Sequence, residues 1–153
     1  MAAIDLDETD RAIIETLLNN SRMSQREMAR HIGVAQGTIT NRLRRLEEEN
    51  VITGYSVNLN AEAVGWTMTI MAGLRIHKGM MIDVQTKIAA DPRVFAVYDV
   101  TGDYDSMVMA RVEGRADLDD LTKTVFTLEG VTRSYTHVVL NTVKESGVIL
   151  PQK

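Results

Sequence analysis

The stretch that most constrains this chain runs from Ser24 to Leu46. Ser24 and Glu27 have the Ser-x-x-Glu spacing of a capping box, in which each side chain satisfies an amide left unpaired in a helix's first turn. Met28, Ala29 and Ile32 follow at helical spacing. Gly33 stands where that helix must stop, and glycine accepts the left-handed backbone that a stop requires. Ile39, Leu43 and Leu46 then recur at i, i+4 and i+7 and form the apolar face of a second helix. Two short helices across so tight a turn predict a helix-turn-helix unit.

The other face of the second helix carries Gln36, Thr38, Asn41, Arg42, Arg44 and Arg45. Arginine forks onto guanine or phosphate, Asn and Gln pair with adenine, and Thr meets either a base or a phosphate. A helix of this kind, held by a short partner, is the element that enters a DNA major groove. The expected contact set is Arg26, Gln36, Thr38, Asn41, Arg42 and Arg45. The alternative for these residues is an ordinary helical hairpin with a solvated arginine face. Ala35 has no side-chain oxygen with which to cap the helix. Gly37 falls in its first turn, where glycine lowers helix stability but permits close backbone approach.

Charge points the same way. The 153-residue chain has a net charge of -4, which argues against a generally basic nucleic-acid binder. From Arg22 to Leu46, however, six arginines face one glutamate, a local balance of +5. Acids flank this stretch: Asp5, Asp7, Glu8, Asp10 and Glu15 before it, Glu47, Glu48 and Glu49 after it. A basic face on an acidic body favours oriented docking on DNA.

Other function classes find little support. Zero cysteines exclude disulfides, thiolate metal sites and cysteine nucleophiles. His31, His77 and His137 are scattered, and no nucleophile–base pair, glycine-rich phosphate loop or metal-ligand spacing occurs. The expectation is therefore no enzyme, no metal and no cofactor beyond a small effector. No run approaches the roughly 20 apolar residues that span a bilayer. The N-terminus has acids where a signal peptide needs a basic start and an apolar core, so a cytoplasmic protein is expected.

Read in order, Asp7 is the N-cap of a first helix with the stripe Ile13, Ile14, Leu17 and Leu18. Val51–Leu59 is short, β-prone and broken by Gly54, and reads as a strand or wing. Residues 60–65 read as a linker or short helix. Trp66 to His77 alternates, with Trp66, Met68, Ile70, Ala72, Leu74 and Ile76 on one face. Met80–Ala90 suits a helix with Ile82, Val84, Ile88 and Ala89 inward. Val94–Thr101 and Ser106–Glu113 read as strands around the turn Gly102-Asp103-Tyr104-Asp105. Asp117 is read as the cap of a helix carrying Leu118, Leu121, Val125 and Leu128, and Val131–Val143 as a long last strand. The order β-α-β-β-α-β is the split βαβ, ferredoxin-like pattern. The expected fold class is α+β: an N-terminal all-α, winged helix-turn-helix domain over residues 5–58, a linker over 59–65, and a ferredoxin-like domain over 66–146. One sheet face takes the two helices. Met71, Met107, Met109 and Val139 predict a partner subunit on the other.

This organisation resembles the Lrp/AsnC (feast/famine) family of transcription regulators. Leu6-Asp7-Glu8-Thr9-Asp10 resembles the family's Leu-Asp-x-x-Asp opening, and Arg22-Met23-Ser24 its entry to the second helix. Arg42-Leu43-Arg44-Arg45-Leu46-Glu47 followed by Val51-Ile52-Thr53-Gly54-Tyr55 matches the end of its recognition helix and wing. Thr101-Gly102-Asp103-Tyr104-Asp105 matches its Gly-x-x-Asp turn, and Val131-Thr132-Arg133-Ser134-Tyr135-Thr136 its entry to the last strand. Three departures stand out: Ala35 where serine is usual, Asn50 where glycine is usual, and Ser134 where threonine is frequent.

The resemblance implies a homodimer built through the C-terminal domain, commonly assembled further into tetramers or octamers. It implies sequence-specific binding to double-stranded operator DNA and response to an amino-acid ligand bound between dimers. The effector-binding residues it implies are Gly102, Asp103, Tyr104, Asp105, Ser134 and Thr136. Carboxylates suit an α-ammonium, and hydroxyls and turn amides suit an α-carboxylate. The alternatives are a chromatin-like architectural DNA-binding protein with no small-molecule response, and an enzyme or metabolite-binding module whose helix-turn-helix is vestigial.

Overall fold

The computed structural model describes residues 4–152. They form two compact units: the chain through Val57 together with the segment from Glu145 onward, and Asn58–Lys144. Residues 59–65, read above as a linker, thus cluster with the second unit, and the C-terminal segment returns to the first.

The first unit is built from α1 (Glu8–Asn19), α2 (Gln25–Ile32) and α3 (Gln36–Glu48). Asp7 caps α1 by accepting from the Asp10 amide at 2.8 Å, and the Asp10 side chain accepts in return from the Asp7 amide at 3.2 Å. Ser24 and Glu27 form the same reciprocal box at the start of α2. Gly33 ends α2 with φ 84, a left-handed conformation that glycine adopts without a Cβ clash. The core joins Ile13 of α1, Met28 and Ala29 of α2, and Ile39, Leu43 and Leu46 of α3. Burying each large aliphatic side chain contributes about 1.5–3 kcal/mol. Leu18 is 52% exposed, against its expected place in the stripe. Thr16 is buried instead, its hydroxyl donating to the Ala12 carbonyl at 2.7 Å, which satisfies the polar atom inside the core.

The expected wing strand at Val51–Leu59 does not form. Val51 and Ile52 pack against the helical core. From Thr53 to Leu59 the chain is exposed, and Gly54 sits at φ 156. A strand needs a ladder partner, and among the described residues this segment has none.

The second unit starts with a 3-10 turn at Glu62–Val64, then β1 (Met68–Ile76), α4 (Met81–Ala89), β2 (Val94–Asp99), β3 (Ser106–Val112), α5 (Arg115–Thr124) and β4 (Val131–Val138). The sheet order is β2-β3-β1-β4, with every neighbour antiparallel. This is the ferredoxin-like arrangement read from the element order. Ile70, Ala72 and Leu74 of β1 and Val108, Ala110 and Val112 of β3 are fully buried, with Val84, Ile88, Leu121 and Phe126 packed in the same cluster. Met71, Met107 and Met109 alternate onto the opposite face, with Met71 37% exposed.

Several details differ from the sequence reading, among them the end of α5 at Thr124, short of Val125 and Leu128. Ile82 is 80% exposed and Ala89 is exposed too. The inward stripe of α4 is Met81, Val84 and Ile88 at i, i+3 and i+7, and a residue next in sequence to the stripe's first member is turned away. The N-cap of α5 is Gly114, not Asp117. Asp117 lies in the first turn, where its carboxylate accepts from the Glu113 amide at 2.9 Å. β4 ends at Val138 rather than Val143; Leu140 and Val143 are almost fully exposed.

Candidate nucleic-acid interface and effector turn

Helix α3 is anchored on two sides. The Thr40 hydroxyl donates to the Gln25 side chain at 2.6 Å, joining α3 to the start of α2. Tyr55 donates to Glu47 at 2.9 Å, tying the segment that leaves the helix back onto its last turn. Ala35 is the N-cap, with φ -69 and ψ 146, and it makes no side-chain cap. A Cβ built on Gly37 would meet nothing within 4 Å, so the first turn of α3 presents bare backbone.

The arginines of α3 are not alike. Arg44 is exposed and donates to the Asn41 side-chain oxygen at 3.2 Å. Arg42 lies 2.5 Å from the Asp7 carboxylate and 3.2 Å from that of Asp10. Arg45 also bonds Asp10, whose side chain is 1% exposed. The Asp10 amide, together with Arg42, holds the Asp7 carboxyl below its ordinary value. The Asp7 hydrogen bond in turn holds Arg42 above its own. A buried carboxylate is stable only when paired, and here the pairing joins α1 to α3.

The structure therefore sorts the expected contact residues. Gln36 and Asn41 of α3 and Arg26 of α2 are exposed. Thr38, Arg42 and Arg45 are half-buried at i, i+4 and i+7 beside the core stripe, and both guanidiniums turn toward α1. Arg42 and Arg45 are thus not part of a freely projecting face. The exposed polar residues of α3 before its acidic end are Gln36, Thr40, Asn41 and Arg44. Thr40 and Arg44 were missing from the contact set, although Arg44 falls on the side of the helix away from Leu46 and Thr40 falls one turn before it.

The residues of the effector turn are also sorted. The Asp105 carboxylate accepts from the Ile76 amide at 2.8 Å, and the Asp105 amide donates to the Leu74 carbonyl at 2.9 Å. Asp105 is thus partly committed to closing the end of β1. Gly102 and Asp103 are exposed at the turn, Gly102 at φ 109. Tyr104 packs over Gly73 and edge-on to Tyr135, with ring centroids 5.6 Å apart. Ser134 and Thr136 pair with Leu74 and Ala72, so they share the helix-side face, whereas Tyr135 pairs with Gly73 on the other. Tyr104 and the hydroxyls of Ser134 and Thr136 thus lie on opposite faces of the sheet, while Asp105 abuts Leu74, the strand partner of Ser134. Gly73, which no sequence motif marked, is the seat of Tyr104. Among the described residues no cluster of metal-ligating side chains occurs, and no helix is long and apolar enough to cross a membrane.

The family model for winged helix-turn-helix DNA-binding domains matches residues 6–53, and that for the Lrp/AsnC ligand binding domain matches residues 69–149. The chain is 44% identical over 140 residues to an uncharacterized HTH-type transcriptional regulator of Pyrococcus abyssi, spanning 92% of this chain and 95% of that one. It is 32% identical over 143 residues to the HTH-type transcriptional regulator FL11 of Pyrococcus horikoshii, spanning 94% and 95% of the two chains. In fold it is similar to a Neisseria meningitidis transcriptional regulator solved with L-Met, with a TM-score of 0.90, 21% identity and 95% and 97% coverage. It is also similar to E. coli AsnC, with a TM-score of 0.89, 21% identity and 95% and 99% coverage. The chain belongs to the Lrp/AsnC family of DNA-binding transcription regulators.

Proposed function

We propose that this chain is a sequence-specific regulator that reads operator DNA through α3 as a homodimer and is modulated by an amino acid bound between dimers. The observation that carries the DNA reading is the exposed polar set Gln36, Thr40, Asn41 and Arg44, on a helix tied by Gln25 and Tyr55. Those side chains can donate and accept in a major groove, while the bare backbone at Gly37 permits close approach. Arg26 of α2 and Thr38 of α3 belong to the phosphate-facing border, and the regulator acts in the cytoplasm, where its operators are.

A dimer supplies two such helices about 34–36 Å apart, one turn of DNA. The half-exposed face carrying Met71, Met107 and Met109 is the surface for the second subunit, since flexible thioethers pack well at such contacts. Further assembly toward an octamer would bring the turn at Gly102–Asp105 and the hydroxyls of Ser134 and Thr136 together from different chains. The ligand class is supported by Asp103, an exposed carboxylate in that turn, and by the L-Met bound in the Neisseria relative.

The test is binding to a genomic fragment recovered with the protein, against unrelated DNA of equal length. A preference above about 10³ is expected; near-equal affinity would favour the architectural alternative. Calorimetry with each of the standard amino acids tests the effector. Asp103→Ala is the control, because Asp105→Ala would also open the end of β1. An absence of heat for every amino acid removes the effector and leaves DNA binding standing.

A further inference from the structure

Asp7 uses its two carboxylate oxygens for different work. Oδ1 accepts from the Asp10 amide at 2.8 Å and caps α1. Oδ2 lies 2.5 Å from Nη1 of Arg42, on the recognition helix. The Asp7 side chain is 50% exposed and that of Arg42 31% exposed, so this pair sits at the surface. Asp10, at 1%, is an interior partner that bonds Arg45 and, at the longer distance of 3.2 Å, the same Nη1 of Arg42. An arginine bonded to a carboxylate oxygen is in the geometry it would adopt on a phosphate oxygen. The second oxygen of Asp7 therefore fills an acceptor position on Nη1 of Arg42 of the kind that a phosphate oxygen can fill.

We propose that Asp7 is a built-in phosphate surrogate that keeps Arg42 off the DNA, leaving Arg44, oriented by Asn41, as the DNA-facing arginine of α3. The inference rests on the DNA-binding reading of α3 and deepens it: Asp7 sets how many phosphates the regulator neutralises. The N-terminal acid is then a specificity device. It removes one sequence-independent phosphate contact per recognition helix, so that a larger share of the binding energy comes from groove contacts.

The two roles of Asp7 can be separated. Asparagine caps helices as well as aspartate does, and its single carbonyl oxygen can stay on the Asp10 amide while its amide offers Arg42 no acceptor. Serine in place of Asp7 does the same with a shorter side chain, and serves if Asp7→Asn melts early. Dimer binding to the recovered fragment is measured across a salt series for wild type, Arg42→Ala, Arg44→Ala, Asp7→Asn and the Asp7→Asn/Arg42→Ala pair. Each phosphate gained steepens the log–log salt slope by about 0.9.

Arg42→Ala is expected to leave the slope unchanged, and Arg44→Ala to weaken binding. Asp7→Asn is expected to steepen the slope by about 0.9 for each Arg42 released, and the double variant to return it to the wild-type value. A flatter slope in Arg42→Ala overturns the proposal. So does an unchanged slope in Asp7→Asn, steepening that survives in the double variant, or wild-type binding by Arg44→Ala. If the wild-type protein itself shows no salt-dependent binding, the DNA reading of α3 fails first and takes this inference with it.

Discussion

The ring of Tyr104 occupies the space that a side chain on Gly73 would need. A Cβ at Gly73 would stand 2.7 Å from two of its ring carbons. Gly73 lies in the central strand β1 opposite Tyr135, and Tyr104 meets Tyr135 edge-on at 61°. The turn at Gly102–Asp105 is therefore seated on the sheet by an aromatic ring that only glycine admits. Gly73→Ala should destabilise the protein by about 1–3 kcal/mol, the usual range for overpacking. Truncating the ring removes the clash, so Gly73→Ala in a Tyr104→Ala background should cost much less. Urea unfolding of the two single variants and the double variant measures this. Strict additivity would mean that the two residues do not touch in solution.

This seat also marks how far the sequence could be read. The N-cap at Asp7, the capping box at Ser24, the stop at Gly33 and the alternation of β1 were legible because each depends on residues a few positions apart. The βαββαβ order followed from those local signals. What was not legible depended on partners far along the chain. Arg42 and Arg45 were read as outward because a charged helix face ordinarily is, yet their acceptors Asp7 and Asp10 come from α1, more than 30 residues earlier. Ile82 was read as inward on hydrophobicity alone, while the start of the stripe fell one residue earlier, at Met81. For the effector turn, the motif located the residues but not their faces. Strand pairing puts Ser134 on the helix side of the sheet, and the contact with Gly73 puts Tyr104 on the other.

Arg93 joins the turn after α4 to the first turns of α5. Its guanidinium lies 2.7 Å from Asp91, 2.7 Å from Asp117 and 2.8 Å from Asp120, and its side chain is 14% exposed. Arg93→Ala leaves three carboxylates facing one another and should cost about 2 kcal/mol, below the range for a fully buried pair because Asp120 is open to water. The Arg93 hydrogen bond holds the Asp91 carboxyl below its ordinary value of 3.8. A depressed folded value gives stability that is present above 3.8 and lost as pH falls through the lower, folded value. The gap between wild type and Arg93→Ala should therefore narrow on acidification below that point. A gap that stays constant into that range would detach the Asp91 contact from stability.

The start of α3 separates stability from DNA binding. Ala35 has the extended N-cap conformation but no capping oxygen. Ala35→Ser should stabilise the free protein by about 1 kcal/mol. Gly37→Ala meets no atom within 4 Å and should stabilise it by about 0.5–1 kcal/mol through helix propensity. If DNA backbone comes close to this turn, the same methyl must weaken binding, and a loss of about tenfold is expected. Opposite signs in thermal melting and in fragment binding are the signature. Gly37→Ala that melts higher and binds as well as wild type would place the DNA away from the first turn of α3.

The segment after α3 forms no strand, and beyond Val51 and Ile52, which pack on the core, the bond from Tyr55 to Glu47 ties it to the recognition helix. Partial burial, with the Glu47 carboxylate as acceptor and negative neighbour, pushes the Tyr55 phenol up to about 12 from its ordinary 10.0. The neutral phenol is the form the fold favours, so the contact contributes fully below pH 10.0 and is lost as pH rises through about 12. An ultraviolet titration should show a late phenolate step that disappears in Tyr55→Phe. In Glu47→Gln the same step should move back toward its ordinary position, since the charge that opposes ionisation is gone. A late step that persists in Tyr55→Phe would belong to another tyrosine. The segment would then leave α3 without this anchor, and the orientation of its exposed residues, Val57 and Leu59 among them, would not follow from Glu47.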